Sequence, residues 1–155
     1  MRCTPETITT EDGWGLDIKR YQNPDRLDVA KPPIVIVPGY CMNTFILAYH
    51  PRGTSLVEYL CDAGFEVWTT NLRGQGDSSS DADAGKVGFR QITRIDLPRV
   101  LGHVCATTVS ERPEPHAIGC SLGGAFLYAY LALHPDRHRL SSMIGLGAPL
   151  RWLQR

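Results

Sequence analysis

Gly119-Cys120-Ser121-Leu122-Gly123-Gly124 decides how the rest of this chain is read. It follows Pro115 to Cys120, a short run whose core HAIGC has the length of a strand, and precedes Leu122 to Leu133, which has the length of a helix and almost no polar side. A serine bracketed by glycines therefore falls where a strand turns sharply into a helix. Such a turn strains the serine backbone, so its neighbours must lack bulk, and Gly119 and Gly123 meet that need. The turn would lift the Ser121 hydroxyl above the end of a sheet. It would also aim the Leu122 N–H, at a helix N-terminus, toward developing negative charge. The competing reading is a glycine-rich turn with a solvated serine. Cys120 is a rival nucleophile only in a frame that needs glycines at 118 and 122, where the chain has Ile118 and Leu122.

Outward from this turn, strands and helices alternate. Pro33 to Val37 is rich in β-branched residues and stops at Pro38-Gly39, as a strand buried on both faces would. Ser55 to Ala63 reads as a helix, with Ser55 and Glu58 at capping-box spacing and Gly64 closing it. Phe65 to Thr70 is the next strand, and Asn71 to Val87, rich in Gly, Ser and Asp, is loop. A helix starts near Asp96, read as its cap, with Pro98 in the first turn and Leu97, Leu101 and Val104 on one face. Leu122 to Leu133 reads as a helix buried all round, ended by His134 and Pro135, and Ser141 to Leu146 is the last strand. Before all of these, Thr7 to Tyr21 reads as a β-hairpin turning at Asp12-Gly13. The fold class is α/β: a mostly parallel sheet, helices on both faces, an N-terminal hairpin, and one domain over 1–155.

Composition narrows the function. The chain has 155 residues, 43% of them hydrophobic and 21% charged, with sixteen basic residues against sixteen acidic. That suits one globular domain and gives no net field toward nucleic acid or an anionic membrane. No apolar run of about 18 residues is present to span a bilayer. Cys3, Cys41, Cys61, Cys105 and Cys120 are odd in number, scattered and without a C-x-x-C pair, so a zinc or thioredoxin-like reading has little support; the serine chemistry itself requires no metal or organic cofactor. Reduced thiols and no apolar leader in Met1 to Asp12 give a cytoplasmic expectation.

Several stretches resemble the α/β-hydrolase fold superfamily, in the family's own order. Pro38-Gly39-Tyr40 is similar to its His-Gly oxyanion turn, with proline in place of histidine. Asn71-Leu72-Arg73-Gly74-Gln75-Gly76-Asp77-Ser78 is similar to its D-x-R-G-x-G-x-S loop, with Asn at the first place. Asp96-Leu97-Pro98, and Ser55 to Thr70, resemble the acid-lipase branch. Polyhydroxyalkanoate synthases are similar too, but carry cysteine where this chain has Ser121.

The resemblance implies a catalytic nucleophile at Ser121 and an oxyanion hole from the backbone N–H groups of Tyr40 and Leu122. Gly119, Gly123 and Gly124 are the elbow glycines of that reading. It implies a lipase- or esterase-like serine hydrolase acting on a small apolar carboxylic ester through an acyl-serine. Acyl transfer to another acceptor is one alternative, and a non-catalytic remnant or pairing module is another. Arg73 is read as structural, tying its loop by hydrogen bonds.

The fold orders its triad as Ser, then Asp or Glu, then His. After Ser121 the chain offers only His134, Asp136 and His138, at the far end of a helix about 18 Å long. That is far beyond a hydrogen bond. His50, His103 and His116 precede the serine and are read as non-catalytic. The expectation is therefore an incomplete domain without its C-terminal strands, cap, acid and histidine, weak or inactive alone. Its bare sheet edge would invite a complementary chain or self-association.

Overall fold

The structure is a computed structural model that describes residues 1–39, 41–81 and 84–150. Strands β1 (Arg2–Thr9) and β2 (Trp14–Gln22) form an antiparallel hairpin. It starts five residues earlier than the expected Thr7. Pro5 lies within β1, and β1 is a sheet edge, where a missing N–H is tolerated.

The rest is built on β3 (Ile34–Val37), β4 (Val67–Thr70), the two-residue β5 (Ser79–Ser80), β6 (His116–Cys120) and β7 (Ser142–Leu146). The order across the sheet is β1-β2-β4-β3-β6-β7, with β5 beside β2. β4, β3, β6 and β7 run parallel, while β2 meets β4 antiparallel.

Helices cover both faces, and β3 shows why. Val35 and Val37 point into the larger core with Leu97, Leu101, Phe126 and Leu127. Ile34 and Ile36 point the other way, against Val57 and Cys61. A strand alternates sides residue by residue, so an unbroken β-branched run must be covered twice. α1 is Phe45–Ala48, a short helix between β3 and the helix that starts after Ser55. α2 (Leu56–Asp62) begins at the expected capping box: Ser55 Oγ accepts from the Glu58 N–H and Glu58 caps the Ser55 N–H.

The next helix departs from expectation. It is one continuous run: α3 (Phe89–Gln91), a π-helical turn at Ile92–Asp96, and α4 (Leu97–Thr107). Asp96 is no cap. It has helical dihedrals and caps nothing with its side chain. Pro98 has no N–H, and its ring would crowd the carbonyl four residues back. The wider turn relieves this, with the Leu97 N–H reaching Ile92 O.

α5 spans Leu122–Leu133 as expected, but it is not buried all round. Gly123 to Leu127 are buried, whereas Ala132 and Leu133 are exposed among the described residues.

Candidate active site

The parallel strands end at one rim, where Gly39 follows β3 and Ser121 follows β6. Ser121 has φ 49° and ψ −121°, a region that side-chain-bearing residues rarely occupy and that costs on the order of 1–3 kcal/mol. Close packing enforces it. A Cβ on Gly119 would sit 2.5 Å from Gly124 Cα; one on Gly123 would strike the carbonyls of Val37 and Pro38; one on Gly124 would strike Ala148. The Ser121 N–H donates to Leu146 O at 2.9 Å, fastening the turn to the end of β7.

Ser121 is exposed, while Cys120 beneath it is buried. Burial pushes the Cys120 thiol above its ordinary range, which keeps it protonated and poorly nucleophilic. Leu122 is the first residue of α5, so its N–H has no acceptor within the helix. Gly39 lies directly against the serine: a Cβ there would be 3.0 Å from both Ser121 Cβ and Cys120 O. Tyr40, expected to supply the second donor, lies outside the described residues.

The loop after β4 braces this rim. Arg73 is buried, and its guanidinium donates to Asp96 (2.7 Å from Nη2), to Asp12 (2.7 Å from Nη1) and to Lys86 O. The Arg73 hydrogen bond is the main reason that the Asp12 carboxyl titrates below its ordinary range. Asp96 is pushed up by burial, against the lowering effect of Arg73.

Asn71 also has a structural reason to differ from the aspartate of the similar loops. Its Nδ2 donates to Asp17 at 2.6 Å while its Oδ1 accepts from the Thr44 N–H at 3.0 Å. An ionised aspartate could accept but not donate. The residue that sequence reasoning missed is Gln75. Its Nε2 donates to Gly39 O at 2.8 Å, and only the folded loop brings the two together.

None of the five histidines is paired with Ser121 among the described residues. His103 Nε2 is 2.9 Å from Glu6, and His116 Nδ1 is 2.8 Å from Ser142 Oγ. His138 and His50 accept from the Leu140 and Arg52 N–H groups. His134 packs its ring on Tyr130 at the far end of α5. No group of three metal-ligating side chains occurs among the described residues.

The family model for the alpha/beta hydrolase fold matches residues 32–154. The chain belongs to the α/β-hydrolase fold family. Among curated relatives it is similar to Lipase member N of Homo sapiens, 28% identical over 152 residues, covering 90% of this chain and 37% of that protein. It is also similar to Lipase 1 of Drosophila melanogaster, 26% identical, with 83% and 29% coverage. Among solved structures, an alpha/beta hydrolase from Novosphingobium aromaticivorans superposes with TM-score 0.66 at 24% identity, covering 92% of this chain and 43% of that one. The chain thus spans about a third of the length of the curated relatives it matches.

Proposed function

We propose that Ser121 is the nucleophile of a carboxylic ester hydrolase. The observation that carries this reading is an exposed serine in a strained turn between β6 and α5, with Gly39 packed against it. In the proposed reaction Oγ attacks the ester carbonyl and its proton passes to a base. The oxyanion is held by the N–H groups of Leu122 and Tyr40. The alcohol leaves, and water then releases the acid from the acyl-serine. Loss of one such donor costs about 2.7–4 kcal/mol.

The curated relatives are named as lipases, which supports an apolar acyl ester as the substrate class. The elbow serves transfer to an alcohol or thiol equally well, and products formed with added acceptor separate the two. No side chain is hydrogen-bonded to the Ser121 hydroxyl among the described residues, so this chain alone should acylate slowly and turn over little. No helix among the described residues is long and apolar enough to cross a membrane. All five cysteines are free, which supports a reducing, cytoplasmic setting.

The test compares the chain with Ser121→Ala on a short p-nitrophenyl ester, following nitrophenol release and the mass of the protein. Acylation is expected in the parent and not in the variant. Equal release and equal labelling in both would remove Ser121 from the chemistry.

A second reading rests on β7. Ile144 and Leu146 are exposed on a strand that pairs only with β6 among the described residues. Such an edge suits pairing with a complementary chain or a second copy. Light scattering across a concentration series tests this, and a monomer at every concentration would rule out the second copy.

A further inference from the structure

We propose that α1 carries the acyl-chain track of this site, with Phe45 and Ile46 as the side chains that read chain length. The inference rests on the hydrolase reading above and adds to it a substrate-contacting surface outside the serine turn. The track starts beside the nucleophile. A Cβ placed on Gly39 would lie 2.9 Å from Met42 Sδ and 3.0 Å from Ser121 Cβ. The thioether and the serine side chain therefore border the same point in space. Their atoms can be no farther apart than those two distances laid end to end.

Beyond Met42 the apolar surface continues outward. Phe45, Ile46 and Tyr49 are each more than half exposed, and the rings of Phe45 and Tyr49 stack with centroids 5.1 Å apart. No charged side chain interrupts residues 41–49. The inward side of the same segment is anchored. Leu47 and Ala48 pack against the core of Ile36, Val57 and Cys61. The N–H of buried Thr44 donates to Asn71 Oδ1 at 3.0 Å. The exposed stripe is thus held in place by its covered face. At about 1.5 Å per residue it reaches on the order of 10 Å from the serine, the length of a medium acyl chain. Methylenes laid along it leave water together with the aromatic and aliphatic surface beneath them, so each added methylene favours acylation until the track ends. A two-carbon chain stops before Phe45.

Chemical labelling of Ser121 reads this preference without needing turnover. Ethyl and octyl fluorophosphonates are supplied with imidazole as external base. Oγ forms a bond to phosphorus, the P–F bond breaks, fluoride leaves and imidazole takes the proton. Peptide mass spectrometry gives the rate for each probe, divided by the rate of that probe's own hydrolysis. The parent is compared with Phe45→Ser, Ile46→Ser and Phe45→Leu, and with Leu133→Ser as an exposed apolar control at the far end of α5. Thermal unfolding is followed alongside.

The parent is expected to label with octyl about tenfold faster than with ethyl. Phe45→Ser and Ile46→Ser each lower that ratio about fivefold while the ethyl rate stays at the parent value. Phe45→Leu keeps most of the preference, and Leu133→Ser keeps all of it.

Equal ethyl and octyl rates in the parent overturn the proposal. So does a ratio unchanged in both serine variants, or a loss that strikes the two probes alike. A ratio unchanged while the parent, but not Phe45→Ser, sediments with phosphatidylcholine vesicles assigns the stripe to a lipid surface and overturns it too. If the parent is not labelled at Ser121 by either probe, the hydrolase reading fails first and this one falls with it, a result distinct from a labelled parent with indifferent variants.

Discussion

β6 and β7 are parallel neighbours joined over five residue pairs, yet they live in different solvents. Ala117 to Cys120 of β6 are all buried, whereas four of the five residues of β7 are exposed. The partners Ile118 and Ile144 are the same residue type in register, at 7% and 49% exposure. Identical chemistry thus contributes differently according to what lies beyond it. β6 has β3 on its far side and helices on both faces. β7 has no further strand among the described residues. The serine turn is fastened to both, by packing at Gly119 and by the bond from the Ser121 N–H to Leu146 O.

The contrast can be attacked first at the brace beneath the covered side. Arg73→Ala leaves Asp96 buried without its cation and should cost about 3–5 kcal/mol in urea unfolding. A related pH experiment isolates Asp12. Its folded pKa is depressed, so its contribution is complete above the unfolded value of about 3.9 and is lost as pH falls through the lower, folded value. Asp12→Asn should therefore lose stability near neutral pH but show a shallower acid limb than the parent. An unchanged acid limb would mean that the Asp12–Arg73 pair adds nothing.

The register partners give a sharper comparison. Ile118→Ala should cost about 3 kcal/mol by opening a cavity, and Ile144→Ala less than about 1 kcal/mol. Equal costs in urea unfolding would mean that β7 is covered in solution. The smallest effect uses the glycine pair Gly119 and Gly145. A methyl on Gly119 meets the Gly124 backbone, and Gly119→Ala should cost about 2 kcal/mol. A methyl on Gly145 meets the Tyr128 hydroxyl at 2.7 Å and Ala148 Cβ at 3.1 Å, neighbours with room to shift, so Gly145→Ala should cost less than about 1 kcal/mol. Thermal unfolding of the two variants side by side reads that difference.

Much of the architecture was legible because its signals are local. The capping box at Ser55, the β-branched run of β3 and the serine between glycines each state their conformation within a few residues. The elements misread were those decided by distant partners. Asp96 had the residue type of a cap, but a buried cation from the loop after β4 claims its carboxylate. The early start of β1 takes in Pro5, which an edge position in the sheet allows. The α5 sequence reads as buried all round, yet Ala132 and Leu133 are exposed among the described residues.

The amino-acid sequence by itself determined the α/β class, the order of strands and helices, and the one serine that could sit at a tight turn. Those follow from periodicity and from the steric demands of glycine, which act over a few residues. The tertiary structure alone decided that Gly39 packs against Ser121, that Gln75 holds the Gly39 carbonyl, and that the histidines are engaged elsewhere. These are contacts between segments tens of residues apart. Hydrogen-bond geometry across such distances is fixed by how the sheet orders its strands, and no local pattern encodes it.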